Sequence, residues 1–264
     1  MSQLSLSKLH RQVNNFMPEI NQLLVRKFSL PKKVSYKPSG INHLGTSVVT
    51  EVDQQVEELL KKKLLQILPG SGFIGEETGV SVKEYNWIVD PIDGTLNFAN
   101  QVPVFACSIA LWHQNEPVYA FVSLPLIRET LHAFSGQGIW LNGRQVKPIR
   151  QPSPKIFLTF SCVGDSQLQS RVFQIILQFT SSPRFYGSCV FHGVEIALGR
   201  IDGGVFVNQG LWDIAAIVLL AKEAALAVKY VSAPPNIASD NLKNYQYSLV
   251  IGPEKLANDL AAKL

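Results

Sequence analysis

Apolar residues recur at helical spacing from the beginning of the chain. Leu6, Leu9, Val13, Phe16, Ile20 and Leu24 mark one face of an amphipathic helix over residues 4–28. Pro18 is expected to kink it. Pro31 and the run Pro38-Ser39-Gly40 then punctuate a loop reaching residue 47. Val48-Val49 leads to Thr50, which reads as a helix N-cap with Asp53 three residues on. Val52, Val56, Leu59 or Leu60, Leu64 and Ile67 give this second helix its buried face, and Pro69-Gly70-Ser71-Gly72 ends it.

Strand patterns follow. Phe73-Ile74 and Trp87-Ile88-Val89 are short apolar runs suited to buried strands. Phe105–Trp112, Val118–Leu124, Glu129–Phe134 and Ile139–Asn142 predict an antiparallel meander, with Gly136, Gly138 and Gly143 at its turns. Pro148, Pro152 and Pro154 mark the expected boundary between an N-terminal α+β lobe, residues 1–150, and a C-terminal α/β lobe, residues 151–264. In the second lobe, strands are predicted at Ile156–Phe160, Arg184–Tyr186, residues 205–207 and Tyr247–Ile251. Helices are predicted from Leu168 to Phe179, from Val190 to Leu198, from Asp213 through Ala227, and from Pro253 to Leu264. That alternation points to a layered α/β core.

Composition narrows the classes. With 264 residues, 46% of them hydrophobic, the chain can bury a sizeable core. A net charge of +4 mildly favours anionic ligands. No dense Lys/Arg block is present, so nucleic-acid binding is not expected; Lys61-Lys62-Lys63 reads as the wet side of a helix. Cys107, Cys162 and Cys189 form an odd, scattered set, which fits a reducing compartment. The polar opening MSQLSLSKLHRQVNNF does not read as a signal peptide, and Lys222 and Glu223 interrupt the apolar run Ile214–Val228. A cytoplasmic protein without membrane insertion is therefore expected.

The candidate chemistry lies in Trp87–Asn100, WIVDPIDGTLNFAN. Pro91 restricts the backbone beside Asp90, and Gly94 permits an unusual turn. Asp90 and Asp93 can then converge, and converging carboxylates repel unless cations hold them. Locally, two readings stand: a turn with two solvated acids, or a site for a hard divalent metal. Backbone N–H groups after Gly94 suit an anion at a helix start.

Three separated stretches carry a family resemblance: Gly75-Glu76-Glu77, then Trp87–Phe98, then Leu211-Trp212-Asp213-Ile214-Ala215-Ala216. In this order, together with Val49-Thr50 and Asp53, they resemble the inositol monophosphatase family of magnesium-dependent, lithium-sensitive phosphatases. The resemblance covers roughly residues 5 to 252. It implies a five-layered αβαβα sandwich, assembled as a homodimer. It implies two or three Mg2+ ions: Glu76, Asp90 and the Ile92 carbonyl on the first, and Asp90, Asp93 and Asp213 on the second, with Glu76 helping to hold a weaker third. Thr95, with Glu76, would orient the attacking water. Backbone N–H groups of Gly94 and Thr95 would hold phosphate. Asp93, Asp213 and the Gly187-Ser188-Cys189 segment would face the substrate, a small phosphate ester. Cys189 is not expected to be a nucleophile, and His192 reads as structural.

Three departures qualify the substrate. Ser47 stands where the family commonly has an Asp, which is expected to weaken the third cation site and lithium sensitivity; Lys37 matches a family lysine only loosely. Phe206 stands where inositol phosphatases carry a Glu that contacts substrate hydroxyls, and a phenyl ring accepts no such hydrogen bond. Asn208 or Gln209 are the neighbours able to compensate. Glu223-Ala224-Ala225-Leu226 replaces a Glu-Ala-Gly-Gly turn, so the preceding helix is expected to run on. Inositol 1-phosphate leads as substrate. Fructose 1,6-bisphosphate, other sugar phosphates, and NADP or 3′-phosphoadenosine 5′-phosphate are alternatives, as is a weakly active member acting as an interaction protein.

Overall fold

The computed structural model describes residues 5–30, 34–37, 47–148, 156–238, 241–242 and 244–264, with side chains for all of these except 34–37 and 47–49. Ser47, Lys37 and the Pro152–Pro154 stretch thus fall, in side chain or entirely, outside the described residues. Helix α1, Leu6–Phe28, is capped by the Ser5 hydroxyl and contains Pro18. The expected loop contains a hairpin instead: β1, Val34–Lys37, pairs antiparallel with β2, Ser47–Thr50. Helix α2, Glu51–Ile67, opens with the predicted Thr50–Asp53 capping box.

Strands β3 (Gly72–Gly75), β4 (Gly79–Ser81) and β5 (Tyr85–Asp93) follow. A short helix α3, Thr95–Ala99, interrupts before β6 (Ala106–His113), β7 (Glu116–Leu124), β8 (Glu129–Phe134), β9 (Ile139–Leu141) and β10 (Arg144–Val146). They form an eight-stranded sheet, ordered β10-β9-β8-β7-β6-β5-β3-β4. The remainder gives β11 (Leu158–Cys162), α4 (Ser166–Leu177), α5 (Cys189–Ala197), β12 (Gly203–Gln209), α6 (Leu211–Glu223), β13 (Ala227–Tyr230), β14 (Tyr247–Gly252) and α7 (Glu254–Ala261). The second sheet runs β11-β12-β14-β13.

The layering follows from which side chains share a core. Alternate residues of β5 and β6 serve opposite faces. Trp87, Val89, Ile109 and Leu111 pack with α1 and α2. Ile88, Ala106, Ala110 and Trp112 pack with α5, α6 and the near face of the second sheet. The far face of that sheet, through Val205, Val207 and Val250, meets α4 and α7. The result is helices, sheet, helices, sheet, helices: the αβαβα sandwich. Covered on both faces, the central strands read as continuous apolar runs rather than alternating ones.

Two expected elements differ. Arg184–Tyr186 is not a strand; Arg184 makes only an isolated bridge to Thr159 at the sheet edge. The helix from Asp213 does not reach Ala227. It stops at Glu223, because Ala225 turns left-handed (φ 56°) and the Leu226 N–H returns to the Ala221 carbonyl at 3.0 Å. Pairing of Ala227–Tyr230 with β14 outweighs the helical preference of the alanines. No described helix is long and apolar enough to cross a membrane.

Candidate metal and phosphate site

Strand β5 carries Asp90 and Asp93, three positions apart, which regular pleating would send to opposite faces. The ladder corrects this. Asp90 pairs with Ser108 and Asp93 with Ala106, so three steps on β5 face two on β6. This bulge re-aims one carboxylate onto the face of the other. Asp213, in the first turn of α6, joins them: oxygen atoms of Asp90, Asp93 and Asp213 all lie within 4.8 Å of one another. Asp90 and Asp93 are buried, and Asp213 is half-buried.

Such crowding is costly for anions. Burial raises the proton affinity of Asp90 well above the carboxylate range, and the charges of Glu76, Asp93 and Asp213 add to it. Burial pushes Asp93 up to about 6, although the Ser188 hydroxyl and backbone N–H groups of α5 pull it back. Burial and the Asp93 charge push Asp213 up to about 7. Mutually repelling, all-oxygen donors gathered in a buried spot fit a hard divalent cation such as Mg2+. Glu76, half-buried in the turn after β3, lies outside the tight trio, yet its charge is the leading electrostatic push on Asp90.

Gly94 is left-handed at φ 93°, and a side chain there would meet the Gly187 and Val104 carbonyls at 3.2 Å. Its turn starts α3 at Thr95. The Thr95 hydroxyl lies 2.9 Å from the Ile92 carbonyl and 3.1 Å from Asp53 Oδ1. It has one proton for two acceptors.

Asp93 also binds the two halves of the chain. Its oxygens accept the N–H groups of Cys189 (3.0 Å) and Val190 (2.8 Å) and the Ser188 hydroxyl. Asn97 reaches across the same seam, donating to the Val104 carbonyl at 2.9 Å and the Tyr186 carbonyl at 2.7 Å. The Ser188 hydroxyl is thus turned onto Asp93 and also caps α5 at Phe191. The buried Cys189 thiol is held far above its usual range by burial and by the charges of Asp213, Asp93 and Asp90, which disfavours the thiolate. His192 Nε2 accepts the Tyr186 N–H at 2.8 Å, and burial lowers the ring's proton affinity to about 3.

Phe206 is fully buried in the core between the sheets. Its two polar neighbours are turned to other partners. The Gln209 amide accepts from Ser161 and donates to the Val207 carbonyl, while Asn208 donates to the Val163 carbonyl.

Sequence reasoning gave no functional role to two residues of α2. Asp53 and Glu57 are buried, each reaching a loop of the site: Asp53 contacts Thr95, and Glu57 accepts the N–H groups of Glu77 and Thr78. The two acids lie one helical turn apart and share the buried stripe with Val56, Leu60 and Leu64.

The family model described as the inositol monophosphatase family matches residues 13–261. Inositol monophosphatase 2 of Solanum lycopersicum is 34% identical over 205 residues, covering 72% of this chain and 77% of its own. The fructose-1,6-bisphosphatase of Pyrococcus furiosus is 31% identical over 202 residues, covering 75% and 74%. The extragenic suppressor protein suhB of Bartonella henselae superposes with a TM-score of 0.79 at 25% identity, covering 95% of this chain and 97% of that one. The acidic cluster, the layered fold and a family match across nearly the whole length lead to one assignment: this chain belongs to the inositol monophosphatase family, as a Mg2+-dependent phosphatase of sugar phosphates.

Proposed function

We propose that the chain hydrolyses inositol 1-phosphate and related polyol phosphate monoesters by direct attack of water. The observation that carries this is the convergence of Asp90, Asp93 and Asp213 within 4.8 Å, with Asp90 and Asp93 buried and Asp213 half-buried. Glu76, Asp90 and the Ile92 carbonyl would hold one Mg2+; Asp90, Asp93 and Asp213 would hold a second. Bound Mg2+ supplies positive charge that acidifies water and stabilises the departing alkoxide. The chain's own groups do the rest. The Thr95 hydroxyl and Glu76 orient the attacking water. The Gly94 and Thr95 N–H groups hold the phosphate oxygens. The water oxygen bonds to phosphorus, the ester P–O bond breaks, and the water's proton ends on the alcohol. Products are the alcohol and inorganic phosphate.

The leaving-group side is less selective in this reading. Phe206 offers no carboxylate to substrate hydroxyls, and Gln209 is engaged internally. Turnover of fructose 1,6-bisphosphate alongside inositol 1-phosphate is therefore expected, in keeping with relatives named for both activities. A homodimer is part of the same reading.

The test is phosphate release from a panel of inositol, sugar and nucleotide phosphates with Mg2+. Polyol and sugar phosphates should turn over, and Asp90→Asn should lose nearly all activity while keeping its fold. Full activity in that variant, or preference for nucleotides alone, would overturn the reading.

A further inference from the structure

We propose that Glu57 is a positioning residue for the metal site: it clamps the turn after β3 and so holds Glu76 against Asp90. This rests on the hydrolase reading above only in taking Glu76 as a metal ligand. Glu57 sits on α2 and is fully buried. Its Oε2 accepts the Glu77 N–H at 2.9 Å, and its Oε1 accepts the Thr78 N–H at 2.5 Å. Among the described residues it forms no ion pair, so these backbone donors are what compensate a buried carboxylate.

The fit is tight on the other side too. A Cβ at Gly75 would lie 2.3 Å from Glu57 Oε1 and 2.7 Å from the Phe73 ring. Only bare backbone lets the carboxylate slide beneath the turn. Gly75 is itself fixed in the parallel ladder opposite Val89. Glu76 therefore leaves the ladder alongside Asp90, pinned before by strand pairing and after by the Glu57 clamp.

This placement is unfavourable on its own. Glu76 is the leading electrostatic push on Asp90, and two carboxylates left to themselves would move apart. Glu57 acts on Glu76 through the backbone, by fixing the two residues that follow it. Groups that orient metal ligands in this way typically affect affinity by about 10- to 100-fold.

The test uses the full-length chain and Mg2+ alone. Glu57→Gln replaces one acceptor oxygen by an amide N–H2 that faces a backbone N–H. In the metal-free protein, amide exchange at Glu77 and Thr78 should accelerate at least about tenfold, with helix α4 unaffected. Calorimetric titration should show Mg2+ binding weakened about tenfold. A merely structural glutamate would lower the melting temperature and also speed this exchange, but would leave Mg2+ affinity unchanged. Mg2+ affinity within twofold of the native chain, in a folded Glu57→Gln protein, would overturn the proposal. If that variant does not fold, Glu57→Asp keeps the charge but withdraws it by one methylene. Weakened Mg2+ binding supports the proposal and unchanged binding overturns it. Native Mg2+ binding with no turnover of any phosphate ester would instead sink the hydrolase reading and leave this result standing.

Discussion

Asp213 accepts the Gly210 N–H at 2.7 Å as a first-turn helix acid, a position that ordinarily favours a negative charge. Burial and Asp93 reverse the balance and lift its pKa from 3.8 to about 7. The sign follows from linkage. The folded, metal-free chain holds this proton more tightly than the unfolded chain, so the resulting stability is full below pH 4 and lost as pH rises through 7. Asp93, raised to about 6, contributes in the same direction. Asp213→Asn keeps an oxygen for Gly210 and removes the charge. In EDTA at pH 8 it should melt several degrees above the native chain, since about 1 kcal/mol shifts Tm by roughly 2–4 °C at this size. It should also lose most of the Mg2+-induced rise in Tm and most activity. Thermal melts in EDTA and in Mg2+ at pH 5 and pH 8 check this; a lower Tm in EDTA at pH 8 would contradict it. Asp90, Asp93, Gly94 and Thr95 were legible because their geometry is set within six positions of one turn. Asp53 and Glu57 were not, because their partners lie 42, 20 and 21 positions away and a helix acid already has a sufficient local explanation. The direction of Phe206 likewise depends on which sheet face meets α5 and α6, not on its neighbours in sequence.

At the level of elements, the end of α6 shows where propensity misleads. Glu223-Ala224-Ala225 favours more helix, but Ala225 is held left-handed so that β13 can turn back and pair with β14. Glu223 fastens the turn from outside, accepting the Gly136 and Gly138 N–H groups at 2.7 Å each. A left-handed alanine carries strain of about 1–2 kcal/mol. Ala225→Gly should relieve most of it and raise Tm by a few degrees, offset in part by the greater freedom of glycine in the unfolded chain. Phosphatase activity should not change, because α6 meets the site at its other end. A drop in denaturant midpoint would show that Ala225 is unstrained. The α1 and α2 boundaries were readable since caps and apolar periodicity agree there. The β1–β2 hairpin, β4 and β13 were not, because such short strands carry too few residues for a period and depend on pairing for their existence.

At the scale of the whole molecule, the site lies on a seam that the core closes. Asp90 and Asp93 come from the eight-stranded sheet; Ser188 and Asp213 come from the N-terminal ends of α5 and α6. These two helices are sandwiched between the sheets, and residues from both halves of the chain share that core. The Trp112 indole even donates to the Ala215 carbonyl inside α6 at 3.2 Å. The distance between the helices is set at Gly193, where a Cβ would lie 2.3 Å from Ile217 Cγ2 and 2.5 Å from its Cβ. Gly193→Ala cannot be absorbed by a rotamer change alone, since the Ile217 Cβ moves only with its backbone. The helices must separate, at a cost of about 1–3 kcal/mol. Because α6 carries Asp213 and Asp93 caps α5, that separation should also loosen the acidic cluster. Gly193→Ala should therefore weaken Mg2+ binding although it touches no ligand, and both halves should still unfold in one transition. Tryptophan fluorescence, far-ultraviolet circular dichroism and Mg2+ calorimetry on the same variant test this. Two separate melting steps, or a destabilised variant with native Mg2+ affinity, would mean that the seam and the site are mechanically independent.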